Sequence, residues 1–100
     1  MTDYQAKLVL GMIDHESAGT WDENVVGDGG CSHGIAQWNA CVGRIAPETF
    51  DGQVDLIVDE MREKFSLYDD LIAVTKHNRP VSNVVTAYTY KVIKSSNLFK

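Results

Sequence analysis

The segment from residue 50 to residue 65 has the most regular hydrophobic pattern in the chain. Its apolar residues recur with the period of an α-helix, and charged residues fill the opposite side of that helix. The apolar positions are Phe50, Val54, Ile57, Val58, Met61 and Phe65. A helix with one apolar face needs other elements to cover that face. We therefore predict a helix that follows Pro47, is capped by Asp51 and faces the core of a mainly α-helical protein.

A first helix is predicted over residues 3–18. Thr2 and Gln5 have the spacing of a capping box, in which a hydroxyl oxygen and a glutamine side chain each accept a bond from a free backbone N–H. Apolar residues and then Glu16 follow at helical spacing. Gly19 is a typical residue for ending such a helix.

Two weaker helical patterns follow in the second half of the chain. Residues 67–78 predict a short helix that ends before Pro80. Residues 81–92 fit helical spacing, but their β-branched side chains suit a strand equally well. We favour a helix because no partner strand is evident nearby, and we expect the tail of residues 95–100 to fray.

The helical period disappears between the first two predicted helices. Residues 27–30 form a turn-rich cluster, so residues 20–32 are expected to form a small hairpin or an irregular loop. Ser32 is placed to cap a short helix over residues 33–41. The predicted fold class is a mainly α, small single domain over residues 1–100, with several short helices around a cleft and at most a small β-hairpin.

Charge and hydropathy exclude several classes of function. The formal net charge is −5, and the basic residues are spread singly along the chain. Proteins that bind nucleic acid neutralise phosphates with clustered Lys and Arg, so we expect no nucleic-acid partner. The chain lacks the apolar run of about 18 residues that predicts a membrane span, and its N-terminal segment lacks the basic residues of a signal peptide. Any target outside the cytoplasm is therefore expected to be reached by delivery.

Glu16 is the strongest candidate for a catalytic acid. It continues the apolar face of the first predicted helix and lies at the C-terminus of that helix. The helix dipole and partial burial both disfavour a negative charge there, so the pKa of its carboxyl group is expected to rise. A carboxyl group that keeps its proton near neutral pH is what a general acid requires. The alternative is a solvated or ion-paired acid at the edge of the apolar face.

Cleavage of a glycosidic bond usually needs a pair of carboxyl groups, and a sugar ring can pack against an aromatic side chain. The loop after Glu16 offers three candidates for the second carboxylate, Asp22, Glu23 and Asp28. Each is equally well explained as a solvated loop acid. The candidate aromatic platforms are Trp21, Trp38, Tyr88 and Tyr90. For each of these rings, packing in the core or at its rim is the alternative.

Two cysteines flank the segment around residues 35–39 and leave two alternatives open. A disulfide between Cys31 and Cys41 would close a short loop and stabilise the fold by about 2–3 kcal/mol. Two free thiols are the expected state of a protein kept in the cytosol. A nucleophilic pair of Cys31 with His77 or His33 is a third reading, although no helix start marks such a nucleophile.

A metal site is a further class to weigh, since His15, Glu16, Cys31, His33 and Cys41 lie close in sequence. Their spacing does not match the paired ligands of a zinc site. A glycine-rich run nearby also lacks the lysine of a phosphate-binding loop. We therefore expect no metal and no cofactor.

Three short motifs resemble, in their order, those of lysozyme-like lytic transglycosylases and phage tail lysozymes. The motifs are Glu16-Ser17, Gly34-Ile35-Ala36-Gln37-Trp38 and Ala87-Tyr88. The second motif is followed by Arg44 and by Gln53, Asp55 and Ile57, and this sequence pattern is most similar to that of the phage tail group. Thr89 departs from the pattern, because the family has asparagine after the tyrosine. The resemblance implies a lysozyme-like fold over the single domain.

The resemblance also implies an activity, the cleavage of the bond between N-acetylmuramic acid and N-acetylglucosamine in peptidoglycan. Glu16 would be the general acid and base, and Tyr88 would hydrogen-bond to its carboxyl group. Ser17, Gln37 and Trp38, together with Tyr88, would bind the substrate. The substrate's own acetamido group would meet the positive charge on the sugar, so the resembled mechanism needs no second carboxylate, and Asp28 and Asp22 stay candidates on the loop sequence alone. Water or the sugar's own 6-hydroxyl group would complete the reaction, so a lysozyme and a lytic transglycosylase are both open.

The implied partners are peptidoglycan glycan strands, with other virion or parent-polyprotein components as further partners. The implied location is a virion, or the periplasm and cell wall after delivery. The alternative function is a non-catalytic virion structural or glycan-binding module on the same scaffold. Thr89 and the short length of the chain favour that alternative.

Overall fold

Four α-helices and one small antiparallel sheet make up the fold of the part of the chain that the structure describes. In the computed structural model, which describes residues 1–99, the helices are α1 (Asp3–Glu16), α2 (Phe50–Leu67), α3 (Asp70–Asn78) and α4 (Ala87–Ser96). The strands are β1 (Val26–Gly27), β2 (Ser32–His33) and β3 (Trp38–Asn39), paired in the order β1-β2-β3. The mainly α domain is confirmed, and the expected small hairpin is corrected to a three-stranded sheet. No helix within residues 1–99 is long and apolar enough to cross a membrane.

Helix α1 begins as predicted and ends two residues early. The Thr2 hydroxyl accepts a bond from the Gln5 N–H, and the Gln5 side chain accepts one from the Thr2 N–H, so the capping box is confirmed. The backbone turns left-handed at Ala18, with φ of 53°, one residue before Gly19. The Gly19 N–H then bonds the Asp14 carbonyl across this turn at 2.8 Å. Glu16 is therefore the last residue of the helix.

Helix α2 follows the predicted apolar face but has a different cap. The Thr49 hydroxyl accepts a bond from the Gly52 N–H at 3.0 Å, and Thr49 has extended backbone, as an N-cap requires. The prediction of Asp51 as the cap was wrong, because Asp51 lies inside the first turn. Its negative charge there favours the helix through the dipole instead.

The core lies between the four helices and the segment that contains the β2–β3 turn and β3. Its fully or almost fully buried residues are Leu8, Val9, Met12, Ile13, Ile35, Ala36, Trp38, Ile57, Met61, Ala73, Val74 and Val92. All four helices contribute to this cluster. Helix α1 packs closely against α4 at Gly11, where an added Cβ would lie 2.6 Å from the Val92 carbonyl oxygen. Helix α4 is thereby fixed against the helix that carries Glu16.

Residues 31–42 do not form the predicted helix. They form β2, a tight turn and β3, followed by one turn of 3-10 helix at Ala40–Val42. Gly34 and Gln37 have left-handed backbone, with φ of 84° and 52°, which an α-helix cannot contain. A disulfide between Cys31 and Cys41 closes this segment, so free thiols are excluded, and with them a nucleophilic Cys31.

The last helix begins later and ends later than predicted, because it spans Ala87–Ser96 and not residues 81–92. The Ser82 hydroxyl donates to the Val84 carbonyl at 2.7 Å, and this local turn competes with a helix over residues 81–86. Val81 and Val84 are accordingly exposed. Ser96 is buried in α4, so the predicted frayed tail is wrong at its first residues. Lys100, its last residue, lies outside the described residues.

Candidate active site

Glu16 lies in a small polar groove between the helical part of the fold and the sheet. The groove is lined by Glu16, Asp28, Ser32, Gln37, Asn39, Arg44, His77 and Asn78, and it encloses a volume of about 80 Å³. These residues come from the end of α1, the sheet and its turns, the loop before α2, and the end of α3. Chain segments that are far apart in sequence therefore converge on one carboxyl group.

The end of α1 holds Glu16 in place through the residues that follow it. Ser17 is fully buried, and its hydroxyl accepts a bond from the Trp21 N–H at 3.0 Å. The Thr20 hydroxyl donates to the Ser17 carbonyl at 2.7 Å. Ser17, predicted to bind the substrate, is thus placed beneath the groove, where it fixes the turn after Glu16.

One face of the sheet forms the second wall of the groove. Ser32 pairs with Gly27 on one side and with Asn39 on the other, so these three residues form one cross-strand row. The neighbouring row faces the opposite way, because successive strand residues alternate between the two faces. Ser32 and Asn39 therefore present their side chains to the groove, which agrees with their place in its lining.

Asp28 and Gln37 are the other predicted site residues that reach the groove. The Ser32 hydroxyl donates to the Asp28 carboxylate at 2.7 Å, which orients this exposed acid. The Gln37 amide donates to the Gly34 carbonyl at 2.9 Å across the β2–β3 turn. Asp22 is not part of the groove, because its carboxylate accepts a bond from the Asn24 N–H in an exposed local turn.

The groove contains none of the predicted aromatic platforms. Trp38 is 1% exposed, and its indole N–H donates to Glu60 at 2.6 Å, so the ring packs in the core and has no free face for a sugar. Trp21 packs edge-on against Phe99, with ring centroids 5.8 Å apart. Tyr90 is exposed outside the groove lining. The packing alternative is the one that the structure supports for Trp38 and Trp21.

Arg44 supplies the positive charge of the groove. Its guanidinium group donates to the His77 carbonyl at 3.3 Å and lies 3.6 Å from the Glu60 carboxylate. Glu60 is held in turn by the Trp38 indole. Trp38 therefore contributes to the site indirectly, because it positions the acid that orients Arg44.

The pKa of the Glu16 carboxyl group is raised from 4.5 to about 7. Burial is the main cause, since it disfavours the charged form, and the negative charge of Asp28 acts in the same direction. The Tyr88 hydroxyl and the positive charge of Arg44 lower the pKa and partly offset this rise. At neutral pH the carboxyl group is about half protonated, so it is suited to both donate and accept a proton.

Tyr88 does not make the hydrogen bond to the Glu16 carboxyl group that the third motif predicted. Its hydroxyl is buried and is near enough to lower the pKa of the Glu16 carboxyl, yet it makes no hydrogen bond of normal geometry with any group in residues 1–99. Burial and the charge of Glu16 raise the pKa of Tyr88 well above its usual value, so the hydroxyl keeps its proton. The ring packs edge-on against His15, with centroids 5.5 Å apart.

His77 is a groove residue whose place the sequence did not predict. It is 3% exposed, and its Nε2 lies 2.7 Å from the Ala36 carbonyl, which can only accept, so Nε2 carries the proton. Burial lowers the pKa of His77 to about 4, and the ring is neutral near pH 7. Asn39 and Asn78 were also missed. No sequence pattern marks these three residues, because they reach Glu16 only through the folding of the β2–β3 segment and α3.

No cluster of three or more His, Cys, Asp or Glu side chains within residues 1–99 is arranged to hold a metal ion. The five residues weighed for a metal site are divided by the fold. Cys31 and Cys41 are bonded to each other, and Ser32 and His33 point to opposite faces of the sheet. His33 therefore faces away from the groove that contains Glu16.

Comparisons with known proteins found no matching family model, no matching curated protein and no matching solved structure. The groove around Glu16 and the motifs that supply its residues are therefore the basis on which a function can be proposed.

Proposed function

We propose that the protein is a peptidoglycan-cleaving glycosidase of the lysozyme or lytic transglycosylase type, with a lysozyme-like fold. The observation that carries the proposal is Glu16, a carboxyl group with a pKa of about 7 at the end of α1 in a polar groove. A general acid for glycoside cleavage needs this protonation state. Peptidoglycan glycan strands are the proposed partner, and a virion or the cell wall after delivery is the proposed location.

In the proposed reaction Glu16 protonates the oxygen that links N-acetylmuramic acid to N-acetylglucosamine. The bond from that oxygen to the sugar carbon then breaks, and the positive charge that develops on the sugar is met by the substrate's own acetamido group. Asp28 is the candidate second carboxylate, since its charge also lies in the groove. Glu16 finally accepts a proton from water, or from the sugar's 6-hydroxyl group, as that oxygen attacks the same carbon.

The groove is too small to bury a whole sugar unit, so a glycan substrate would have to lie across its mouth. The enclosed volume of about 80 Å³ is well below the roughly 300–1,000 Å³ of pockets that bury whole small molecules. Gln37, Asn39 and Asn78 surround it with hydrogen-bonding amides. We propose that a polar substituent of the sugar enters the groove while the glycan strand lies over it.

The direct test is the variant Glu16→Gln, which keeps the shape of the side chain and removes its ionisable carboxyl group. We expect clearing of purified sacculi to slow by about 100-fold or more, the usual contribution of a general acid or base. Glu63→Gln is the matched control, because Glu63 is exposed on α2 and outside the groove lining. Clearing by Glu16→Gln at the rate of the parent protein would refute the proposal.

The second candidate is a non-catalytic virion structural or glycan-binding module. The observation that favours it is Thr89, which replaces the asparagine of the resembled motif. It is fully buried and bonded to the Thr75 hydroxyl, so it brings no polar group to the groove. Binding of chitin oligosaccharides or sacculi by the parent protein, with no soluble fragments by mass spectrometry, would favour this candidate over the glycosidase.

A further inference from the structure

A second and larger cavity lies on the other side of the sheet from the Glu16 groove. Its volume is about 520 Å³, within the range of pockets that bind small molecules. Val26 and His33 pair across β1 and β2 and line this cavity, whereas Ser32 and Asn39 of the neighbouring row line the groove. The sheet therefore separates two sites, and a ligand in this cavity does not contact Glu16.

The walls of this cavity are held together by one buried side chain. Gln53 is 1% exposed, and its amide donates to the carbonyls of Glu23 at 2.9 Å and Pro47 at 2.8 Å. Its side-chain oxygen accepts the Ile35 N–H at 2.9 Å. These bonds join the loop before β1, the β2–β3 turn and the loop before α2. The cavity is thus preformed, and a ligand need not order its walls on binding.

The lining combines a hydrocarbon surface with negative charge. The apolar residues are Val25, Val26, Ala40, Ile45, Ala46 and Pro47, and two of them, Val26 and Ile45, are exposed to the extent of 55% and 69%. Glu23 and Glu48 line the same cavity, and its lining contains no Lys or Arg. Neither acid is ion-paired in the part of the chain that the structure describes, where the salt bridge present joins Arg44 to Glu60.

We propose that this cavity binds an aliphatic chain that ends in a primary ammonium group, the chemistry of a lysine side chain. The methylene groups would cover the apolar wall, and the ammonium group would lie between Glu23 and Glu48, whose charges it complements. His33 and Asn24 at the lining add hydrogen-bonding groups. The site is distinct from the proposed glycosidase groove and does not depend on Glu16.

The test is a titration of the protein with Nα-acetyl-lysine amide, followed by the NMR shifts of the backbone amides of Val25 and Ala46. We expect saturable shifts with a Kd of about 1 mM, the usual affinity of so small a ligand. The Nε-acetylated compound has the same chain without the charge and should bind at least about tenfold more weakly. Equal binding of the two compounds, or no saturable shift, would overturn the proposal.

Variants distinguish binding of the ammonium group in this cavity from its nonspecific attraction to an acidic protein. Glu48→Gln should weaken binding about threefold, as expected for one exposed ion pair, and Glu23→Gln with Glu48→Gln about tenfold. Glu63→Gln changes the net charge by the same amount as Glu48→Gln and should leave the Kd unchanged. Glu16→Gln should also leave it unchanged, even if that variant loses all lytic activity. A loss of binding in Glu63→Gln equal to that in Glu48→Gln would contradict a built site.

A parallel titration with n-pentylammonium identifies the source of the ligand. The shared chemistry is the alkylammonium group, which a peptide side chain and a free amine both provide. Tighter binding of the lysine derivative than of pentylammonium would assign the cavity to a peptide, and equal binding would assign it to a free amine. Failure of both to bind would overturn the proposal without bearing on the glycosidase, whose activity is measured separately.

Discussion

The carboxyl group of Glu16 is subject to opposing influences from its neighbours. Burial and the charge of Asp28 raise its pKa, while the Tyr88 hydroxyl and the charge of Arg44 lower it. The resulting value of about 7 is thus a balance, and no single neighbour sets it. Because the direction of each neighbour's effect is known, substitutions at Asp28 and at Tyr88 should shift the pKa of Glu16 in opposite directions.

We predict that Asp28→Asn lowers the pKa of Glu16 and that Tyr88→Phe raises it. The first variant removes a negative charge that disfavours ionisation, and the second removes a polar group that favours it. The pKa can be measured directly by carbon NMR of labelled Glu16. If the proposed function holds, the alkaline limb of the pH–rate profile moves to lower pH in Asp28→Asn and to higher pH in Tyr88→Phe.

Two controls accompany this pair of variants. Asparagine at position 28 can still accept the bond from Ser32, and phenylalanine at position 88 keeps the ring that packs against His15. Both proteins should therefore fold as the parent does. A shift of the Glu16 pKa in the same direction in both variants would contradict the electrostatic account.

The raised pKa of Glu16 could be predicted from sequence, but much of its surroundings could not. Its raised pKa follows from a place at the end of an apolar helix face, which local spacing reveals. The burial of Trp38 does not follow from local spacing, because it depends on the strand row in which the residue lies. His77 reaches the groove from a helix that is 61 positions further along the chain (77 − 16). Only tertiary packing brings His77 into the same groove as Glu16.

At the scale of elements, the long helices were predictable and the short strands were not. Helices α1 and α2 have apolar faces that repeat over several turns, so the period identifies them. Strands of two residues are too short to show alternation. Their positions are set by left-handed backbone at Asp28 and Gln37, which is visible only in three dimensions, and by the disulfide, which the sequence left as one of the open alternatives.

We predict that Gly11→Ala destabilises the protein, although alanine is the better helix former. The added methyl group would lie 2.6 Å from the Val92 carbonyl oxygen and 2.8 Å from the Ser96 nitrogen, both backbone atoms of α4. Overpacking of this kind costs about 1–3 kcal/mol, against a gain of about 1 kcal/mol in helix propensity. We expect a net loss of up to about 2 kcal/mol in the free energy of unfolding, measured with urea.

Gly52→Ala is the comparison for this prediction. It lies in the first turn of α2, and its added Cβ would meet side-chain atoms of Thr49 and Pro47 at 3.0 Å and 3.1 Å. Side chains can give way by a few tenths of an ångström more easily than the backbone of a packed helix. Gly11→Ala should therefore lose more stability than Gly52→Ala, and the reverse order would show that α1 and α4 do not pack as described.

At the scale of the whole molecule, Glu16 and His77 give the fold opposite dependences on pH. The folded-state pKa of Glu16 is raised from 4.5 to about 7. The fold is therefore stabilised by the protonated carboxyl group at low pH and loses that stability as the pH rises from about 4.5 to about 7. The folded-state pKa of His77 is lowered from 6.5 to about 4, so stability is lost as pH falls through that window. Each shift corresponds to about 3 kcal/mol. The two effects nearly cancel in the parent protein between about pH 4 and pH 7.

We therefore predict that Glu16→Gln reveals the contribution of His77. The variant should be about as stable as the parent near pH 4, where Glu16 is protonated in both the folded and unfolded states. It should be more stable by about 3 kcal/mol above pH 7, where the parent must bury a charged carboxylate. Urea unfolding at several pH values measures this difference, with Glu63→Gln as the control that should follow the parent. A difference between Glu16→Gln and the parent that stays constant with pH would mean that Glu16 titrates normally, and the proposed general acid would lose its physical basis.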